Sequence, residues 1–235
     1  MKRWILSAAI VALSLASCDK ENRECPGSTE KTFTATAFSK VKAGDGFYVN
    51  IVKGNEFSVK AKGCENDLND INVSVINGGI VEIKYRNQKN DRYRVDFTVT
   101  MPMVYSVILD GAAKGTVTGF KGDDYTTKIV LSGASELSMN ENTAYTQFDI
   151  SGASKLLLKG ATETLKGFAS GASVLNAFDA PADDIDIAVS GASKANIHAT
   201  RLLTADASGA SQIIYRGNPV QKDLSTSGGG KISKE

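Results

Sequence analysis

The reactive side chain that recurs most regularly in this chain is serine. The tetrapeptide Ser-Gly-Ala-Ser begins at Ser132, Ser151, Ser170, Ser190 and Ser208. A serine nucleophile needs a base within hydrogen-bond reach and a third group that orients the base. The chain holds one histidine, His198, and three cysteines. Zinc centres, Ser-His-Asp triads and Cys-His dyads are therefore short of parts, and neither a metal nor a cofactor is expected. Carboxylates offer another route to catalysis, through Asp123 and Asp124, Asp179, and the cluster Asp183, Asp184 and Asp186. A glycosidase requires two carboxylates opposed at a defined separation, and a calcium-dependent lyase requires several plus a base. Asp183 and Asp184 follow Pro181, a context that suits a solvated loop. No catalytic residue is assigned, and the expectation is a protein that is not an enzyme.

Charge offers a binding chemistry instead. The position three residues after each repeat glycine reads Lys114, Glu136, Lys155, Val174, Lys194, Gln212 and Lys231. Lys114, Lys155, Lys194 and Lys231 form a candidate ligand-facing stripe for anionic glycans. The structural alternative is that alternation keeps stacked like charges apart. With 27 Lys and Arg against 26 Asp and Glu, the formal charge is +1. That lacks the basic excess of nucleic-acid binders, so no nucleic-acid partner is expected.

The elements that must position these residues follow from the repeat. Degenerate copies of the tetrad, Asp110-Gly111-Ala112-Ala113 and Ser227-Gly228-Gly229-Gly230, flank the five good ones. Successive first glycines lie 22, 19, 19, 20, 18 and 19 residues apart. Apolar residues fill nearly all the positions two before, four after and six after these glycines, as in Leu131, Leu137 and Met139, or Val189, Ala195 and Ile197; Gly115, Thr226 and Lys234 depart from the pattern. That is the period-two signature of strands with one buried face. Coils this short bury a core only by stacking. The expected fold is all-β, a parallel β-helix of about seven ~19-residue coils, roughly 30 Å long at ~4.8 Å per coil. The glycine is expected at positive φ, the alanine after it in a tight inward position, and both serines in stacked ladders. Lys222, Lys231 and Lys234 read as protection of the terminal edge.

Residues 32–105 lack the tetrad but alternate equally well, in Phe33–Phe38, Phe47–Val52, Phe57–Lys62, Ile71–Ile76, Ile80–Arg86 and Tyr93–Met101. Asn77-Gly78-Gly79 and Lys53-Gly54-Asn55-Glu56 are hairpin turn signals. This half reads as an antiparallel or mixed sheet that caps the solenoid, with Asn87–Arg92 as a charged loop. The absence of a linker near Pro102 predicts one continuous body over 32–235, divided into the 32–105 region and the 106–235 repeats.

The first seventeen residues form an export signal. Lys2 and Arg3 precede an apolar run from Trp4 to Ala16, too short to span a bilayer core. Leu15-Ala16-Ser17-Cys18 resembles the lipobox of bacterial lipoproteins; the alternative is a conventional signal peptide with an incidental cysteine. That resemblance implies cleavage before Cys18, lipidation of its sulfur, and anchoring at a membrane of the cell envelope. Residues 18–31, polar and broken by Pro26-Gly27, read as a tether. An exported compartment permits a Cys25–Cys64 disulfide; free thiols are the alternative.

Taken together, alternating strands, the strand end Thr100-Met101-Pro102, Gly-small-Ser turns about every 20 residues, and Tyr215-Arg216-Gly217-Asn218-Pro219 resemble the putative auto-transporter adhesin, head GIN domain family. The resemblance covers Thr34 to Pro219, with GAS here where the family often has GSG. It implies a β-helical surface or periplasmic module of Bacteroidota-like bacteria and carries over no catalytic residue. The expected function is a lipid-anchored adhesin or binding module of the outer membrane, facing the surface or the periplasm. Its partners would be the membrane, through the anchor, and a polysaccharide or an envelope or host protein. Tyr125, Tyr145, Phe168 and Phe178 are scattered, which weakens a sugar-stacking face. The alternatives are an envelope-structural lipoprotein and, behind it, a polysaccharide-active β-helix enzyme.

Overall fold

In each tetrad the first serine follows the end of one strand, glycine and alanine make the turn, and the second serine precedes the start of the next. A computed structural model of the chain describes residues 24–89, 91–120 and 123–235, the side chains of 123–125 excepted. The export signal, the lipobox and Cys18 lie outside the described residues. From the first tetrad-like turn onward the strands are β8 (Ser106–Leu109), β9 (Lys114–Thr118), β10 (Asp123–Leu131), β11 (Glu136–Asn140), β12 (Thr143–Ile150), β13 (Lys155–Lys159) and β14 (Thr162–Ala169). They continue with β15 (Val174–Val189), β16 (Lys194–Ala207), β17 (Gln212–Arg216), β18 (Gln221–Thr226) and β19 (Lys231–Lys234). Strands before the turns stack in parallel as one column and strands after them as a second. Registers match position for position, so that Leu137 pairs with Leu156 and Gly115. The seven-coil parallel β-solenoid expected from the repeat is the observed fold.

The buried rows are those the parity selects. Leu131, Ile150, Val189, Leu156, Leu175, Ile197 and Ile213 are all essentially inaccessible, and each such side chain contributes about 1.5–3 kcal/mol by leaving water. The tetrad alanine is not inward: Ala134, Ala153, Ala172, Ala192 and Ala210 are exposed. The second serine takes that place, with Ser135, Ser154, Ser173, Ser193 and Ser211 buried. The reason is the alternation itself. The serine two after the glycine shares a face with the apolar residues four and six after it, and the alanine one after must point out.

The buried hydroxyls are satisfied within the stack. Ser173 Oγ donates to Ser193 Oγ at 3.2 Å, and Ser193 Oγ accepts from the Ser173 backbone N–H at 3.2 Å. Ser135 and Ser211 donate to the carbonyls of Leu109 and Val189 at 3.2 and 2.9 Å. Ser193→Ala leaves a buried backbone N–H without its acceptor, so stability is expected to fall by about 1–2 kcal/mol. A urea titration of the variant beside wild type reads that loss. An unchanged midpoint would show that the ladder is passive filling.

The front half has its own strands: β1 (Thr29–Phe33), β2 (Lys40–Ala43), β3 (Tyr48–Lys53) and β4 (Ser58–Gly63). A five-residue helix α1 (Glu65–Asn69), β5 (Ile71–Ile76), β6 (Ile80–Tyr85) and β7 (Asp96–Met101) follow. Its sheet is mixed, as expected, but much of it is solenoid. β2 and β3 form a coil stacked directly under β8 and β9, and β6 and β7 form another beyond that. Asp45, at φ +55, stands where the repeats have glycine. Around it Val41, Ala43, Val49 and Ile51 occupy the inward positions. The antiparallel pairs among the described strands are β1 with β4, β4 with β7 and β5 with β6, and they close the end. The body from the first coil to the last is ~40 Å long at the sheet spacing.

Two boundaries shift relative to the tether expected over 18–31. β1 begins at Thr29, and Cys25 is disulfide-bonded to Cys64, so the described end of that segment is fastened to the body. At the opposite end, inward positions of the last coil turn polar, with Lys222, Thr226 and Lys234 exposed where earlier coils carry apolar groups.

Candidate binding groove at the capped end

Every coil must turn from the first column to the second. In the repeats four residues do this, but between β6 and β7 the chain spends residues 86–95, of which 90 lies outside the described residues, on the same corner. The extra length stands away from the turn stack and leaves a groove of about 630 Å³. Its floor carries Lys42, Glu82 and Lys84; one wall is the Gly44-Asp45-Gly46 turn with Asp110, and the other is the loop, including Lys89, Arg92, Tyr93 and Arg94. The charge of the loop is legible in the sequence, but its place as a wall is not. The signal was its length, legible only once β6 and β7 are known to be one coil.

The loop is held by a charged clamp. Arg92 Nη1 donates to Asp67 Oδ1 at 3.0 Å, Nη2 donates to Asp70 and to the Asn87 carbonyl, and the guanidinium lies 3.4 Å from the centre of the Tyr85 ring. Asp67 is the middle residue of α1, Asp70 caps the helix, and Cys64 of the disulfide precedes it. The loop wall, the helix and the disulfide are thus one mechanical unit. The Arg92 side chain is only 8% exposed, and its Nε finds no acceptor. On the floor Glu82 accepts from Lys84 at 2.7 Å and Lys42 at 2.9 Å. Asp45 Oδ2 accepts the Tyr85 backbone N–H at 3.2 Å.

These contacts set the titration of the site. Hydrogen bonds from Arg92 and then Asn87 hold the Asp70 carboxyl below its usual range, and those from Lys84 and Lys42 do the same for Glu82. The hydrogen bond to Glu82 raises Lys42. Burial, aided by the charge of Asp67, pushes the Tyr85 hydroxyl up, so it stays neutral. A carboxylate lowered in the folded state contributes stability that is complete above its unfolded pKa, about 4 here, and is lost as pH falls through the lowered value. Acidification below pH ~4 is therefore expected to release the 86–95 loop before the repeats. Hydrogen exchange followed by mass spectrometry would show it, and simultaneous loss of protection everywhere would contradict it.

The lysine stripe is aligned as its spacing required. Glu136 pairs in register with Lys114 and Lys155, Val174 with Lys155 and Lys194, and Gln212 with Lys194 and Lys231. It runs along the second column and comes near the groove only at its front residue, Lys114, which shares the Tyr48 ring with Arg94. Lys155 donates to Glu136 at 2.9 Å, and Lys114 sits 5.4 Å from the Tyr48 ring centre.

The candidate acids do not converge. Asp183, Asp184 and Asp186 lie within β15, a continuous strand with a register shift at that point, and not in a loop. The strand persists because neighbouring coils on both sides supply partners. Asp183 accepts from Thr200 at 2.7 Å, Asp184 pairs with Arg201, and Asp186 pairs with Lys166. Asp179 sits on the corner opposite Lys159; the side chains of Asp123 and Asp124 are outside the described residues. Tyr145 and Phe168 lie on β12 and β14, and Phe178 is covered by Arg216 at 3.9 Å. Among the described residues no group of three or more His, Cys, Asp or Glu is placed to hold a metal ion. No helix among them is long and apolar enough to cross a membrane.

The fold has solved counterparts. A putative adhesin from Bacteroides fragilis superposes with a TM-score of 0.77 at 16% identity, over 91% of this chain and 99% of the other. A putative adhesin from Parabacteroides merdae gives 0.67 at 16% identity, over 92% and 99%. A protein from Parabacteroides distasonis described as a putative lipid binding protein gives 0.66 at 15% identity, over 92% and 100%. At these identities the likeness is one of fold. No curated protein matches the chain. The family described as putative auto-transporter adhesin, head GIN domain, matches residues 37–219, which takes in both front coils, the groove and the repeats up to Pro219, and the chain belongs to that family.

Proposed function

We propose that this chain is an exported lipoprotein, held at the outer membrane by acyl chains on Cys18, whose domain is a non-catalytic adhesion or binding module. The observation that carries the reading is the Cys25–Cys64 disulfide. Such bonds persist outside the reducing cytosol, and this one fastens the body seven residues after Cys18. Seven extended residues reach at most ~25 Å, so the capped end would be held close to the bilayer. The hydrogen-bonded turn stack adds stiffness that suits presentation of a surface. The names of the similar solved chains, adhesin for two and lipid binding for a third, agree with a binding role.

Metabolic labelling with an alkyne fatty acid, with surface biotinylation of whole cells, tests the reading. Labelling lost in Cys18→Ala, together with surface biotinylation and binding of cells or glycans by the protein, is the expected result. An unlabelled protein would overturn the anchor. A labelled protein shielded from biotin that binds nothing would overturn adhesion and leave an envelope-structural role. Product release from an offered polysaccharide would overturn the non-catalytic assignment.

A further inference from the structure

We propose that the groove between the 86–95 loop and the Asp45 turn binds an uncharged, polyhydroxylated ligand, a short stretch of neutral glycan. This rests on the reading of the domain as a binding module and names the site and the class of ligand.

The charge balance of the groove decides the class. Five basic and three acidic side chains line it. Two of the bases are already answered from behind the wall, Arg92 by Asp67 and Asp70 and Arg94 by Asp96. Counting those carboxylates, the site lies within one charge of neutrality, with both signs interspersed. Any charged ligand group would meet a like charge nearby, at a cost of a few kcal/mol at ~4 Å near a protein surface. A neutral ligand meets no such penalty.

Hydrogen-bonding capacity points to hydroxyls. Each ammonium has three donors, and Glu82 takes one from Lys42 and one from Lys84. Asp45 commits Oδ2 to the Tyr85 N–H. Arg92 Nε, buried in the wall, is a donor with no acceptor. Donors and acceptors alternating over a few ångströms match a diol, where every hydroxyl both gives and accepts. Tyr93 stands on the rim beside them, 38% exposed. The volume lies within the ~300–1,000 Å³ of small-ligand sites and is open enough for a chain to enter and leave.

The test uses the full mature protein in detergent and calorimetric titration with neutral hexasaccharides of glucose, xylose, mannose and N-acetylglucosamine, with hexagalacturonate as the acidic comparator. Binding of a neutral hexamer is expected to weaken at least tenfold in Asp45→Asn, which keeps an acceptor for the Tyr85 N–H, and in Lys84→Met. Lys128→Ala, exposed on β10 and outside both the groove and the lysine stripe, should bind as wild type does. All variants should melt within a few degrees of wild type, the largest loss being the half-exposed Lys84–Glu82 pair. Binding of hexagalacturonate alone, lost in Lys194→Ala, would overturn the groove and leave a binding module acting through its lysine stripe. Binding of none of the hexamers would overturn the proposal, and cell adhesion by the same preparation would then show that the module reading survives it.

Discussion

Gly191→Ala is expected to lower the stability of the solenoid by on the order of 4 kcal/mol. Gly191 sits at φ +71, where a side chain costs about 1–2 kcal/mol from backbone sterics alone. An added Cβ would also lie 2.6 Å from the carbonyl oxygen and 3.1 Å from the nitrogen of Gly171 in the coil below. That oxygen accepts the Ala192 N–H at 2.7 Å, and the Gly191 oxygen in turn accepts from Ala210 at 2.8 Å. Moving the turn to relieve the clash therefore breaks the turn stack on both sides. Because each coil rests mainly on its neighbours, the urea transition should also split, with the coils after the turn melting first. Gly27→Ala, whose Cβ would meet nothing within 4 Å, is the control. A single unshifted transition in Gly191→Ala would show that the turn stack has slack that its geometry denies.

The second large effect is at the capped end. The Cys25–Cys64 bridge closes a sequence separation of 39 residues, worth about 4 kcal/mol by the chain-entropy relation, and comparable native bonds cost 2–5 kcal/mol to remove. The double variant Cys25→Ser, Cys64→Ser is expected to melt roughly 10 °C lower than the oxidised protein. Because Cys64 leads directly into α1, whose Asp67 holds Arg92, the loss should begin in β1, the helix and the 86–95 loop. Calorimetry of the oxidised protein and the double variant measures the shift. Equal melting temperatures would mean that β1 and α1 hold without the bridge.

Much of the solenoid was readable in advance because a 19-residue spacing and a two-residue alternation are both printed in the chain. Leu137, Leu156 and Leu175 point inward because parity leaves them no other side. The same parity, carried through the tetrad, would have put Ser135 inside and Ala134 outside; the small size of alanine was the misleading cue. The front coil at Asp45 escaped because its glycine is replaced and because 66 residues, not 19, separate it from Gly111. Nothing local announces that an intervening stretch returns to the far side of β2. The groove escaped for the same reason, since it exists only where β6 and β7 are one coil. The candidate acids misled because a run of aspartates after proline has the composition of a loop, and it is the backbone pairing with β14 and β16 on adjacent coils that keeps it a strand.

The sandwiching of β2 between β6 and β8 divides the folding of this protein in time. Lys40 pairs with Ile80 on one side and Ser106 on the other, so the coil at Asp45 cannot be completed until the chain through β9 is available. Closing loops of 40 and 66 residues carries an entropic cost before any contact compensates for it. Every later coil docks on one formed about 19 residues earlier, a short-range step. Topologies of high contact order fold slowly and local ones fast, so the clasp at the front limits the rate and the repeats follow by zipping. Removing whole coils from the far end would then shorten the body and lower its stability in steps, while the refolding rate stays that of the clasp.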